Sequence, residues 1–165
     1  MFRGVILPKN VSGRLYLHSM PGRYEAWSHF IAEAGRYNVD FIVCLAPQDE
    51  IEKKSPSYAN AVRHGELNFP MECFPVPDYE VPHDREEYAV FVRRIAELVR
   101  SGYTILVHCS AGIGRTGTFA ICLLLALSLD RMGAEKTVCS AGSHPETNEQ
   151  KEMVSWYKKK FHTAS

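Results

Sequence analysis

The stretch that most constrains this chain is "YTILVHCSAGIGRTGTFAICLLLALSL", residues 103–129. A compact β-rich apolar run meets a glycine-rich turn, and a long apolar run of helical character follows at once. A strand without polar alternation suits a sheet buried on both faces. A turn this short between a buried strand and a buried helix leaves few arrangements besides a strand–loop–helix unit of an α/β layer fold.

The rest of the chain alternates in the same way. Strands are expected at Arg14–His18, at Val39–Ala46 and at Leu67–Val76, the last broken by Pro70 and so placed at or near an edge. Apolar residues at helical spacing (Trp27, Phe30, Ile31, Ala34) predict a helix over Tyr24–Tyr37, and a short one is expected over Ser57–His64. Asp84 suits the cap of a helix running to about Arg100 and stopped by Gly102, with Ala89, Phe91, Val92, Ile95, Ala96 and Val99 inward. Further helices are expected from about Thr116, from Ala134 and over Glu146–Phe161, while "PQDEIEKKSPS" and "PDYEVPHD" read as loops. The expectation is a single α/β domain over residues 1–165. Its central sheet would be mostly parallel, with about four to five strands and helices on both faces. In such sheets ligands bind beyond the carboxyl ends of the strands, where the quoted loop lies.

Composition narrows the class. The 165 residues balance 19 Lys and Arg against 19 Asp and Glu, so no charge excess points to nucleic acid or an anionic membrane. The basic spot "YKKKF" reads as a solvated helix end, where cations suit the dipole. The longest apolar stretch, Phe119–Leu129, is about half of a membrane span. "MFRGVILPKN" contains no secretory h-region, and five cysteines without a CxxC pair fit neither a disulfide framework nor a zinc site. A reduced, cytoplasmic, monomeric protein without metal or other cofactor is expected.

The chemistry lies in "HCSAGIGRTG", His108 to Gly117. Backbone N–H groups entering a helix lack intrahelical partners, and Gly112 and Gly114 let the chain bend so that they converge. Ser110, Ala111 and Ile113 add no charge. The result is an anion cradle on a helix N-terminus, a setting that favours a thiolate at Cys109. Arg115 brings a planar fork for two oxygens of an oxyanion. Thr116 is placed to hydrogen-bond the cysteine sulfur, and His108 to hold the loop backbone or tune the thiol. The Gly-Lys-Ser/Thr ending of a nucleotide P-loop is missing.

This stretch resembles the His-Cys-x5-Arg-Ser/Thr signature of the cysteine-based protein tyrosine phosphatases, and the short chain is most similar to the small dual-specificity members. The resemblance runs from about Gly13 to Phe161 and implies a phosphocysteine mechanism acting on phosphorylated proteins. It implies phosphotyrosine as first substrate, with phosphoserine and phosphothreonine left open. Asp78 in "FPVPDYEVP", 31 residues before Cys109, resembles the family's general acid, with Glu80 and Asp84 as rivals. Tyr79 beside it is a candidate for the pocket wall. Gln150 in "GSHPETNEQ" falls where the family's water-positioning glutamine would sit. The chain departs from its relatives where "SAGS" replaces their frequent Arg-Pro-Gly-Ser, which leaves the aim of Gln150 open. Alternatives are a phosphoinositide or RNA 5′-phosphatase, against which the uncharged loop interior counts, a sulfurtransferase or arsenate reductase, and a catalytically silent phosphoprotein-binding module. A reactive thiol is also oxidisable, so Cys44 and Cys73 are candidates to trap Cys109 as a disulfide.

Overall fold

Five strands form one sheet in the order β1-β2-β5-β3-β4: β1 Arg3–Val5, β2 Arg14–His18, β3 Phe41–Cys44, β4 Met71–Cys73 and β5 Thr104–His108. Only β1 runs antiparallel to its neighbour; the other pairs are parallel. These are the coordinates of a computed structural model describing residues 1–161, and residues 162–165 of the expected domain lie outside the described residues.

Among the described residues seven helices cover the sheet: α1 Trp27–Arg36, α2 Gln48–Lys54, α3 Pro56–Arg63, α4 Arg85–Arg100, α5 Gly114–Ala126, α6 Arg131–Ser140 and α7 Asn148–Phe161. The two faces are sorted by strand period. Leu15, Leu17, Val43, Ile105 and Val107 join α4–α7 in the larger core. Ile42 and Leu106 turn the other way, onto Phe30 and Ala34 of α1. Cys44, at the strand end, meets Ile51, Tyr58 and Ala59 of α2 and α3. Apolar residues on both faces explain why these strands read as unbroken apolar runs. Gly114 to Leu125 of α5 are all buried, the mark of a helix enclosed on every side.

The α/β class, the central β5 and the five strands agree with expectation. Four details do not. β1 was not expected: three residues are too few to show a period. "PQDEIEKKSPS" is not simply a loop but contains α2. That helix buries a single apolar side chain, Ile51, and is otherwise favoured by Asp49 and Glu50 in its first turn and Lys53 and Lys54 in its last. The strand expected over Leu67–Val76 shrinks to three residues after Pro70, and it lies at the sheet edge. α6 begins at Arg131 rather than Ala134, because the Asp130 side chain accepts from Gly133 N–H.

Candidate active site

The loop from His108 to Gly114 leaves the carboxyl end of the central strand and enters α5. An account of its carbonyls explains its shape. His108 O accepts from Leu45 N–H at 2.9 Å, and Ser110 O from Met20 N–H at 2.9 Å. Cys109 O accepts from His108 Nδ1–H at 2.9 Å. Gly112 O accepts from Arg3 Nη2 at 2.7 Å and from Ser143 Oγ at 2.6 Å. Ile113 O accepts from Gly117 N–H at 2.8 Å and His144 N–H at 3.2 Å. With these carbonyls turned outward, the intervening N–H groups turn to the concave side, because each peptide is planar and trans. Gly112 has φ +75°, and a Cβ there would overlap the His18 carbonyl, so this corner requires glycine.

The concave side is a small cavity of about 100 Å³ lined by Arg23, Lys54, Asp78, Tyr79, Cys109, Ser110, Ala111, Gly114, Arg115 and Glu146. A larger open hollow of about 590 Å³ lies alongside, between residues 79–83 and Glu149, and its lining includes no cysteine. Cys109 is buried at the floor of the small cavity. Arg115 reaches across it with a side chain only 2% exposed, using both terminal nitrogens. Nη1 donates to Glu50 Oε2 at 2.8 Å and Val76 O at 2.9 Å. Nη2 donates to Glu50 Oε1 at 3.1 Å and Asp78 Oδ1 at 2.9 Å. Burial works against the Arg115 charge, but Glu50 and the field of Cys109 hold its pKa above the ordinary value. Burial likewise opposes the Glu50 carboxylate, and hydrogen bonds from Arg115 and Lys54 outweigh it, holding the carboxyl at about 2.

Of the residues singled out from sequence, Cys109, Ser110, Ala111, Gly114, Arg115, Asp78 and Tyr79 come together at the cavity. Asp78 and Tyr79 come from the loop after β4; Tyr79 is 62% exposed and sits at φ +62° on the rim. Gly112 and Ile113 form the back of the loop. His108 lies behind it, fully buried. Its Nδ1–H donates to Cys109 O and its Nε2 accepts from Tyr58 O–H at 2.9 Å, an assignment that satisfies the neutral ring. Burial pushes the imidazole down to about 4. His108 therefore braces the backbone and contributes no positive charge at neutral pH.

Thr116 departs from expectation. Its hydroxyl is buried and has no hydrogen-bond partner among the described residues, so the expected bond to the Cys109 sulfur is not formed. Gln150 is buried beside Gly114, but both ends of its amide are engaged. Oε1 accepts from Glu146 N–H at 2.8 Å, and Nε2 donates to Glu80 O at 3.2 Å. It ties the start of α7 to the Asp78 loop. Of the rivals of Asp78, Asp84 is occupied as the cap of α4 through Glu87 N–H at 2.9 Å, and neither Asp84 nor Glu80 lines the small cavity.

Sequence reasoning missed Arg23, Glu50, Lys54 and Glu146. Lys54 Nζ donates to Ser110 Oγ at 2.8 Å, lies 2.8 Å from Glu50 and 3.8 Å from Asp78. Arg23 also donates to Ser110 Oγ. The one available signal was the helix-like charge order of "QDEIEKK". Cys44 and Cys73, the candidates to trap Cys109, face each other in the β3–β4 register. Their mutual hydrogen bond, with burial, pushes the Cys44 thiol up, and the same bond lowers that of Cys73. Among the described residues all cysteines are free thiols.

Residues 11–163 match the family model of the Swiss Army Knife phosphatases (PTP-SAK), described as a DSP-PTPase phosphatase domain. The chain belongs to this family. Among curated relatives it is 44% identical over 57 residues to receptor-type tyrosine-protein phosphatase V of Rattus norvegicus, covering 33% of this chain and 3% of the relative. It is 39% identical over 67 residues to protein-tyrosine-phosphatase PTP1 of Arabidopsis thaliana, covering 38% of this chain and 20% of the relative. The chain thus matches only a small part of each relative's length. Among solved structures, kinase-associated phosphatase with its catalytic-site cysteine replaced by serine superposes with a TM-score of 0.82 at 18% identity, covering 100% of this chain and 97% of that one. The DSP-PTPase fold is shared throughout. Among the described residues no helix is long and apolar enough to cross a membrane.

Proposed function

We propose that this DSP-PTPase domain hydrolyses phosphate monoesters on proteins, phosphotyrosine first, through a phosphocysteine on Cys109. The observation that carries the reading is the convergence of two separate segments on one small cavity: Cys109 at its floor and Arg115 across it from the loop entering α5, and Asp78 from the loop after β4, within 2.9 Å of Arg115. Inward N–H groups and Arg115 hold the equatorial oxygens as the thiolate attacks phosphorus in line. Four Arg115 N–H bonds are already committed to Glu50, Val76 O and Asp78. An arriving phosphate takes the Nε–H and displaces Asp78, which keeps Glu50 as the anchor and frees Asp78 for the leaving group. Asp78 then protonates the departing oxygen, and as a carboxylate it accepts a proton from the water that cleaves the phosphocysteine.

Gln150 supports the second step by holding the Asp78 loop through Glu80 O, while its Oε1, which accepts one bond from Glu146 N–H, keeps a second lone pair for the hydrolytic water. A second reading is favoured by one observation. Arg23 and Lys54 bring two cations to Ser110, although the loop interior is uncharged. A substrate with a further phosphate beside the scissile one, such as a phosphoinositide, would meet them; one structural neighbour, PTPMT1, was solved in complex with PI(5)P.

The test is a panel of phosphotyrosine, phosphoserine and phosphothreonine peptides with a phosphoinositide, run beside Cys109→Ser. Vanadate-sensitive, EDTA-insensitive turnover that falls by ~10⁴-fold or more in Cys109→Ser supports the proposal. Retained turnover in that variant refutes the nucleophile. Tight phosphopeptide binding without any turnover would make the domain a binding module.

A further inference from the structure

Arg3 belongs to the edge strand β1, far in sequence from the loop, yet its guanidinium is turned onto the loop's outer side. Nη1 donates to Ala141 O at 2.9 Å, Gly142 O at 2.8 Å and Ser143 Oγ at 3.1 Å. Nη2 donates to Gly112 O at 2.7 Å. Ser143 Oγ donates to the same Gly112 carbonyl at 2.6 Å, so both of its lone pairs are taken. The pocket is shaped for this side chain. Gly112 and Gly142 both have positive φ, and a Cβ on either would come within 2.9 Å of the guanidinium or closer. The segment "SAGS" contributes a hydroxyl and carbonyls but no cation of its own.

We infer that Arg3 is a positioning residue for the oxyanion cup: with Ser143 it clamps the Gly112 carbonyl outward and thereby holds the Ile113 N–H toward the phosphate. The peptide after a glycine at positive φ is the one in the loop freest to rotate. If it flips, an acceptor replaces a donor at the anion, and one N–H of the cradle is lost. A flip must break two hydrogen bonds to Gly112 O, one of them from a cation. Arg3 also places its charge within Coulombic reach of Cys109, on the side opposite Arg115. A purely structural role, stapling β1 to the segment after α6, predicts a loss of stability with no change in how the folded cup binds anions.

The inference builds on the phosphatase reading, but its test does not depend on turnover. Tungstate binding to the Cys109→Ser protein is measured by calorimetry, with and without Arg3→Ala, Arg3→Lys and Ser143→Ala, on samples shown to be folded by thermal melt. The expected result is a roughly 10-fold weaker Kd for Arg3→Ala, partial recovery in Arg3→Lys, and an intermediate loss in Ser143→Ala. In the Cys109 protein, kcat/KM on p-nitrophenyl phosphate should fall by the same factor. Folded Arg3→Ala that binds tungstate within twofold of its parent overturns the inference. Should Arg3→Ala not fold, Ser143→Ala decides, since it leaves the staple to Ala141 O and Gly142 O intact; binding within twofold there overturns it too. Unaltered turnover in Cys109→Ser would sink the phosphocysteine reading while the tungstate comparison still judged Arg3.

Discussion

The Cys109 loop and the Asp78 loop face each other across the same cavity and are built in opposite ways. Cys109, Ser110, Arg115 and Thr116 are buried, and the carbonyls of their loop, with that of His108, are bonded to Met20 beyond β2, Leu45 beyond β3, β1, α5 and the segment after α6. Asp78 is half exposed and Tyr79 largely so. Their loop is tied to the cup by Arg115, Lys54 and Gln150. An anion cradle works only if its donors are aimed before the substrate arrives, because reorienting dipoles costs what the cradle is meant to supply. A general acid must approach a leaving group that varies with substrate and withdraw when product leaves, so a lightly tethered loop suits it.

Four experiments break or sharpen this contrast, in descending order of effect. Gly112→Ala strikes the buried loop at its least tolerant point: a side chain at φ +75° overlaps the His18 carbonyl. It should cost about 2–5 kcal/mol in denaturant melts and lower kcat/KM by roughly 100-fold or more; a variant with both unchanged would show that this corner is not rigid. Asp78→Ala strikes the exposed loop. It should lower kcat by roughly 10²- to 10³-fold, remove the basic limb of the pH–rate profile and leave the melting temperature nearly unchanged. If Glu80→Ala or Asp84→Ala does this instead, the acid is misassigned.

Glu50→Gln lies between the two loops, since it removes one charge from the pair that anchors Arg115. It should lower kcat/KM by roughly 10- to 100-fold through a misplaced guanidinium, with a larger share in KM than Asp78→Ala shows. The smallest effect is one of pH. His108 titrates near 6.5 when unfolded and is held at about 4 in the fold by burial. Between those values the unfolded chain binds a proton the native ring refuses. Stability is therefore complete above about 6.5 and declines as pH falls toward 4, by up to about 3 kcal/mol. Buried His18, also lowered chiefly by burial despite Glu25, acts in the same direction. Urea melts at a series of pH values should show the decline and a shallower slope in His108→Asn; an equal slope would place the proton uptake elsewhere. Glu50, held at about 2, adds a separate loss below about 4.5.

The parts legible in the sequence are those whose signal is local. The two apolar strand runs that became β3 and β5 declare themselves because both of their faces are buried, and the Cys109 loop because its residue types are dictated by one compact turn. Asp84 was readable as a cap from its position alone. What was not legible depends on partners distant in sequence. Glu50 and Lys54 sit on a helix held by one apolar side chain, which composition cannot separate from a polar loop. Arg3 lies in a three-residue strand whose only recommendation is its pairing with β2. The Cys44–Cys73 juxtaposition follows from strand order, and strand order is a tertiary fact. Thr116 is the converse case: motif context suggested a contact to the cysteine sulfur that its buried hydroxyl does not make.

The clamp on Gly112 joins residues 109 positions apart in sequence, and Ser143 and Gln150 complete the same enclosure from still later in the chain. Contacts of such separation form late, after the entropy of closing long loops has been spent. During synthesis the thiol of Cys109 therefore leaves the ribosome well before its enclosure exists. For that interval it is an ordinary exposed cysteine on an unfinished sheet. On the proposed reading, its phosphoryl-transfer reactivity is acquired only when β1 and α7 have both docked, so turnover would double as a reporter that these two elements are in place.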